Sequence, residues 1–556
     1  MIGKDSFVFK SDRPWPNKRF DKGAIIGHTT TNSTRLWIRA GRPGKFILLL
    51  YQPQNLSSDT IYSGLKDVPY LINNQPDYVR KFEFTIEDYD SDTTHFLDID
   101  RLRSGTTYRY ALYSDDEKRI ILGQDVPYSF QTPSQENDSL SIALYSCHMP
   151  YKETLLGGTT VANIEMWEYL YHALERHKEK NYTMVIACGD QVYTDAISSL
   201  NIWEFLNNTM RKENGILYPS ENDMVSWYRD IYRGYWGFPF LKKVFSSHPT
   251  YMIWDDHDIC DGWGSYFVQE GKRNEITSIL PNLKDKRLTT EDGLEFINRM
   301  GRAARRVYYE YQHSHNPDSG LNQLDYGFYV SDCAFYVLDG RGMRDVNRDS
   351  YRILGRKQTE RFKAWLKEDS TRSKSFLFVV SSVPILHLRS VIVNADSNAI
   401  IERTGRTDDL RDSWENSLHD EEREDLMSAL FEASKRGQKV SILSGDVHVG
   451  AAFEITDSSG NTIYQLTSSP ITNSISRPLG WVLGLGVPDE GITKEGYRFE
   501  RLALYTNNNF AIIRVDNNKK MAIFQLYSDQ YIKAPEGENL SDSPCTHSML
   551  KIKLFS

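Results

Sequence analysis

The sequence predicts an α/β sandwich preceded by a smaller all-β sandwich. Three observations carry that expectation. A chain of 556 residues is too long for one small core. Residues 23–131 read as short alternating strands divided by turn residues. From residue 140 onward the hydrophobic period changes to strand, helix, strand.

In the first part, Thr34–Ile38, Phe46–Tyr51, Arg80–Ile86, His95–Ile99 and Thr107–Tyr113 are β-branched or aromatic and alternate in polarity. Several strands at that spacing predict a β-sandwich over residues 20–133. Thr132–Leu140 is polar, carries Pro133 and reads as a linker. A second domain is expected over residues 140–530. Ile142–Ser146 is a short apolar run. Val161–His177 then places Ile164, Trp167, Leu170, Tyr171 and Leu174 on one helical face, and Met184–Cys188 is apolar again. That unit belongs to a buried parallel sheet, because parallel strands need a crossover. Tyr251–Trp254 and Phe335–Leu338 supply further strands. A helix at Lys357–Glu368 leads into Phe376–Val380, and one at Glu421–Arg436 ends at Gly437 before Val440–Leu443. Leu294–Tyr311 reads as a long amphipathic helix whose Arg302, Arg305 and Arg306 form a solvated face. Ser199–Pro249 is an aromatic-rich helical insertion. Ser390–Asp420 is polar and irregular, of a length that suits a lid or a loop. Phe453–Leu526 reads as strands, and the last thirty residues carry no reading.

Composition excludes some classes. Net charge is −9, so nothing favours general nucleic-acid binding. Five cysteines, an odd and sparse set, do not form a disulfide framework. Residues 1–20 lack the apolar stretch of a signal peptide, and no long apolar run suits a membrane span, so a cytoplasmic protein is expected.

The chemistry sits where apolar runs end: Ser146–Cys147–His148, Gly189–Asp190 through Tyr193 to Asp195, Asp255–Asp256–His257–Asp258 through Asp261 to Gly264, Asp339–Gly340–Arg341, and Gly445–Asp446–Val447–His448. Ligands of open α/β sheets bind beyond the carboxyl ends of the strands. Each Asp alone reads equally well as a turn or cap residue. Crowded together, the carboxylates repel one another unless cations sit among them. Two ions roughly 3.5–4 Å apart can share a carboxylate and clamp a phosphoryl group. Asp190 suits that bridging place. Asp255 is expected to brace its loop, Asp258 to anchor His257, and Arg341 to bind phosphate.

These motifs, with Leu354–Gly355–x–x–Gln358, resemble the PhoD-like alkaline phosphatases of the calcineurin-like metallophosphoesterase superfamily, over roughly Gly23–Val515. The resemblance implies a metallophosphatase-type α/β sandwich as the catalytic domain. It makes Cys147 and Tyr193 metal ligands as thiolate and phenolate, with Asp190 bridging. Asp256 stands at the superfamily's Asn ligand, His257 at its catalytic His, and Asp446 and His448 at its last ligand motif. Asp261 is a further ligand by the same comparison. The superfamily's additional histidine is absent, its place taken by Ser381–Ser382–Val383–Pro384. The implied cofactors are Fe3+ with Ca2+ or another divalent ion. The implied reaction is hydrolysis of a phosphate ester by metal-activated hydroxide, with His257 and Arg341 catalytic. Two other readings stand beside it. One is a phosphodiesterase acting on a nucleotide or lipid head group. The other is a non-catalytic ligand-binding protein on a degenerate phosphatase scaffold.

Overall fold

A computed structural model describes residues 15–52, 79–123, 128–135, 139–154, 158–195, 197, 200–265, 287–345, 351–387, 411–473, 487–528 and 550–555. Near the N-terminus, Gly23–Thr29, Thr34–Arg39 and Thr94–Ile99 form a three-stranded antiparallel sheet. Val79–Ile86, Gly44–Tyr51, Thr107–Ser114, Arg119–Leu122 and Tyr128–Gln131 form a second sheet. Side chains alternate across a strand, so Ala24, Ile26, Leu36 and Ile38 share one core with Phe46, Leu48 and Leu50. The opposite set, Ile25 and Trp37, joins the main core of the chain. Trp37 Nε1 donates to the Glu310 carbonyl at 2.8 Å. Gly23–Thr29 and Thr34–Arg39 are therefore buried on both faces, whereas the edge strand Thr94–Ile99 leaves Phe96 and Asp98 exposed.

The rest is built on two larger sheets. In one, Thr250–Ile253, Tyr182–Cys188 and Ser139–Tyr145 run parallel, and Asn509–Asp516, Met521–Ser528 and Leu550–Leu554 extend it antiparallel. In the other, Cys333–Val337, Phe376–Ser381, Lys439–Ser444 and Thr462–Thr467 run parallel between antiparallel flanks. Phe335, Val337, Phe378 and Val380 belong to the core shared with Ile142, Leu144 and Val185 of the first sheet. Their neighbours Ala334, Tyr336, Leu377 and Val379 turn the other way, onto Phe362 and Leu426 of the helices Arg356–Trp365 and Asp420–Lys435. The helix Glu165–Lys178 buries Trp167, Leu170 and Leu174 in the first core.

The long helix spans Thr290–Tyr311 and is capped by Thr289, whose side chain accepts from the Asp292 amide. Its Arg302 and Arg306 pair with Glu221 and Glu310. The aromatic insertion holds the helices Ile202–Thr209, Glu221–Tyr235 and Pro239–Ser247, with Trp227, Tyr228, Tyr232 and Trp236 fully buried. Two features lie beyond what the sequence reading addressed. Asn509–Asp516, within the stretch read as further strands, pairs with Ser139–Tyr145, and Leu550–Leu554 in the uninterpreted tail is a strand. Local periodicity reports a strand but not its partner. Residues 390–410 of the expected lid lie outside the described residues; residues 411–420 are packed in, with Trp414 buried. No helix among the described residues is long and apolar enough to cross a membrane.

Candidate metal centre

Four strands end at one place. Ser139–Tyr145 delivers Cys147, Tyr182–Cys188 delivers Asp190, Thr250–Ile253 delivers Asp255 and Asp256, and Lys439–Ser444 delivers Asp446. The loops are stitched by backbone hydrogen bonds: His148 N donates to Asp190 O at 2.9 Å, and Gly189 N to Ile253 O at 3.0 Å. Cys147, Asp190, Asp446 and His448 all adopt φ between 54° and 62°. Non-glycine residues pay about 1–3 kcal/mol each for that conformation, and such residues gather at functional sites.

Oxygens of Asp190, Asp255, Asp256 and Asp446 lie within 4.8 Å of one another. Asp190 Oδ1, Asp255 Oδ2 and Asp256 Oδ1 are buried without a hydrogen-bond partner. Burial, then the neighbouring carboxylates, push Asp190 and Asp446 well above the usual carboxylate range. Burial raises Asp255 to about 6 even though Arg341 opposes it. Buried oxygens on crowded acids that accept no hydrogen bond fit a bound cation, which would relieve both the burial and the repulsion.

Asp190 is also where the softer donors meet. Its Oδ2 lies 3.3 Å from Cys147 Sγ and 3.1 Å from the Tyr193 hydroxyl. That hydroxyl is 3.2 Å from His448 Nε2. Burial and the nearby carboxylates raise the Cys147 thiol, and burial with Asp190 and Cys147 raises Tyr193. Burial lowers His448 to about 3. A bound cation reverses that logic for thiol and phenol.

The His257 ring stacks on Tyr193 with centroids 4.2 Å apart. Its Nδ1 faces Asp195 Oδ1 at 2.8 Å. Burial opposes its charge, but Asp195, Asp256 and Asp190 outweigh burial and raise His257. Asp258 does not anchor this ring. Its carboxylate points inward, accepting from the amides of Asp255 and Gln191 and from Gln312, because Asp256–Asp258 is a 3-10 turn closed by that capping interaction.

Arg341 also differs from expectation. Its side chain is 0% exposed and is held by Asp255 and Asp412, so it does not present a phosphate clamp. Asp261 lies outside the acid cluster, at the rim, with Oδ1 3.9 Å from His257 Nε2. Gln358 brackets the backbone of Asp339, accepting from its amide at 2.8 Å and donating to its carbonyl at 2.9 Å. That contact explains the Leu354–Gln358 motif as scaffolding.

Several residues had no assigned role in the sequence. Asp195 closes the Gly189–Asp195 run, so its spacing was visible. Ser469 donates to Cys147 Sγ at 3.1 Å, and Asn473 Nδ2 lies 3.2 Å from His448 Nε2. Asp412 lies in a stretch without periodicity, which gives no local signal.

The PhoD-like phosphatase family model matches residues 158–499. An uncharacterised Saccharomyces cerevisiae protein, YGR266W, is 24% identical over 419 residues, covering 62% of this chain and 55% of its own length. The chain thus spans about half of that curated relative. Among solved structures, PhoD is similar at 16% identity and TM-score 0.56, over 92% of this chain and 86% of that one. The purple acid phosphatase PPD1 of yellow lupin (Lupinus luteus) seeds is similar at 11% identity and TM-score 0.51, over 92% of this chain and 72% of that one. Both likenesses are of fold, a mixed α/β structure with several sheets. The family match covers more than half of the 556 residues, and this chain belongs to the PhoD-like phosphatase family.

Proposed function

We propose that this chain hydrolyses phosphate esters at a dinuclear metal centre. One observation carries the reading: three buried carboxylate oxygens that accept no hydrogen bond converge beside a thiol, a phenol and two histidines at the strand ends. In this reading Cys147, Asp190, Tyr193 and His448 would hold one ion, and Asp190, Asp255, Asp256 and Asp446 would hold the other. Asp261, outside the cluster, is left as a rim residue. The thiolate and phenolate favour ferric iron at the first position, and the oxygen-rich second position suits Ca2+ or another divalent ion. Bound there, the ions would neutralise the acids and supply Lewis-acid chemistry, polarising the phosphoryl group and lowering the pKa of water.

The chain's own residues do the rest. Asp195 holds Nδ1 of His257 and leaves Nε2, among the described residues, without a closer partner than Asp261 at the rim, 3.9 Å away. As the ester P–O bond breaks, the leaving oxygen takes the Nε2 proton. Arg341 acts at one remove, by fixing Asp255. Residues 20–133 serve as a β-sandwich domain beside a catalytic domain of residues 140–530.

The test is exhaustive chelation followed by metal return, assayed on a panel of phosphomonoesters and phosphodiesters. Hydrolysis should vanish and come back, and the panel separates mono- from diesterase. Full activity in protein shown to be metal-free overturns the reading.

A further inference from the structure

We infer that Asp412, near the end of the polar insertion, is a positioning residue for the metal centre: it pins Arg341 so that Arg341 fixes Asp255 with one oxygen left for a cation. The inference rests on the metal-dependent reading above and adds a residue that the strand-end motifs do not contain.

The guanidinium of Arg341 is a rigid plane with two usable edges. Nη1 and Nη2 fork onto the two oxygens of Asp412. Nε donates to Asp255 Oδ1, and Asp255 Oδ2 remains unpartnered within the acid cluster. Pinning one edge aims the other. Asp412 is itself held from two sides. The Ser265 hydroxyl donates to its Oδ1 at 2.8 Å, and Arg344 Nη2 donates to its backbone carbonyl at 2.7 Å. Arg344 Nη1 lies 3.4 Å from its carboxylate. Among the described residues, the Asp412 carboxylate thus ties the end of the insertion to both Arg341 and Ser265.

Charge points the same way. Arg341 and Arg344 are both buried beside the cluster. Arg341 Nη2 already lies 3.4 Å from Asp256 Oδ1. Without Asp412, two guanidinium groups would share Asp255 and Asp256 as their carboxylate partners, and those oxygens would be lost to the cations. With Asp412 present, one positive charge is cancelled at a point that is not a ligand.

The test uses the full chain, stripped of metal and titrated with Ca2+ alone by calorimetry. Asp412→Asn keeps the shape and removes the charge. Ca2+ affinity should fall about 10–100-fold, the usual effect of disturbing a ligand's support. Asp412→Glu should recover most of it. Hydrolysis by Asp412→Asn should be poor at limiting metal and restored by excess metal, which a general folding defect would not allow. If Asp412→Asn does not fold, Ser265→Ala loosens the same carboxylate and should weaken Ca2+ binding severalfold. Unchanged Ca2+ affinity in a folded Asp412→Asn chain, or in Ser265→Ala where only that one folds, overturns the inference. A wild-type chain that binds no Ca2+, and no Mg2+, Mn2+ or Zn2+ titrated in its place, overturns the metal reading and this inference with it. Ca2+ binding that depends on Asp412 in a chain without hydrolytic activity leaves the inference standing and removes only the proposed reaction.

Discussion

His257 and Tyr193 stack face to face, yet their tasks separate cleanly. His257→Ala removes a proton donor and leaves the acid cluster intact. Turnover should fall roughly 10²–10⁴-fold, less for esters with good leaving groups. Comparing a nitrophenyl ester with an alkyl ester checks this, and unchanged turnover of the alkyl ester would take His257 out of the reaction. Tyr193→Phe removes the phenol beside Asp190 and Cys147. Iron-loaded protein should absorb visible light by charge transfer from thiolate and phenolate, and the substitution should shift or bleach that band. A colourless, fully active protein holding only zinc would refute iron. At this scale the residue types were legible in the sequence, because each ended an apolar run. Their hydrogen-bond partners were not. Asp195 and Asp258 lie at similar remove from the metal motifs, and only the tight turn at Asp256–Asp258 decides which carboxylate meets the ring.

The strand-end loops are the elements on which the site depends. They approach so closely that a Cβ at Gly445 would run into Ser146 Cβ and the Cys188 carbonyl. Gly445→Ala should therefore cost about 1–3 kcal/mol, the range for overpacking a closed core. It should also displace Asp446, so metal content should fall with stability. Urea denaturation and metal analysis of the same preparation test this; an unchanged midpoint with full metal content would show that the loops have room. The strands and helices that carry these loops were readable from period alone. The insertion was not, since Asp412 and Trp414 are buried by contacts far along the chain and no local pattern announces them.

The whole molecule carries a pH liability at the junction of the three-stranded N-terminal sheet and the 3-10 turn His313–His315 that follows the long helix. His315 is fully buried, and its backbone carbonyl and Cβ crowd Gly27 of the first strand. Burial, with His313 and Arg35 nearby, lowers His315 to about 3. Burial, with Arg305 and Arg35 and against Asp318, lowers His313 to about 4. Both are neutral when folded, whereas an unfolded histidine protonates near 6.5. Their stabilising contribution is thus complete above about pH 6.5 and is lost as pH falls from there toward 4 and below. Each contributes a slope of at most about 1.4 kcal/mol per pH unit in that window. Calorimetry of metal-free protein should show the Tm falling between pH 7 and pH 5, and His315→Leu should lessen the fall. An equal fall in the variant would place the acid sensitivity elsewhere.

The sequence by itself determined the alternation that makes the strands, the helices between them, and the donors at the strand ends, because these depend on neighbours two to four residues away. It carried the PhoD-like motifs for the same reason: each is a short run. The tertiary structure alone decided that Asn509–Asp516 returns to the first sheet, that Arg341 is spent on Asp255 and Asp412, and that Asp255 offers an oxygen to the acid cluster. A buried charge takes whichever partner the packed fold brings within reach, and Asp412 reaches Arg341 across 71 residues of chain that no local period spans.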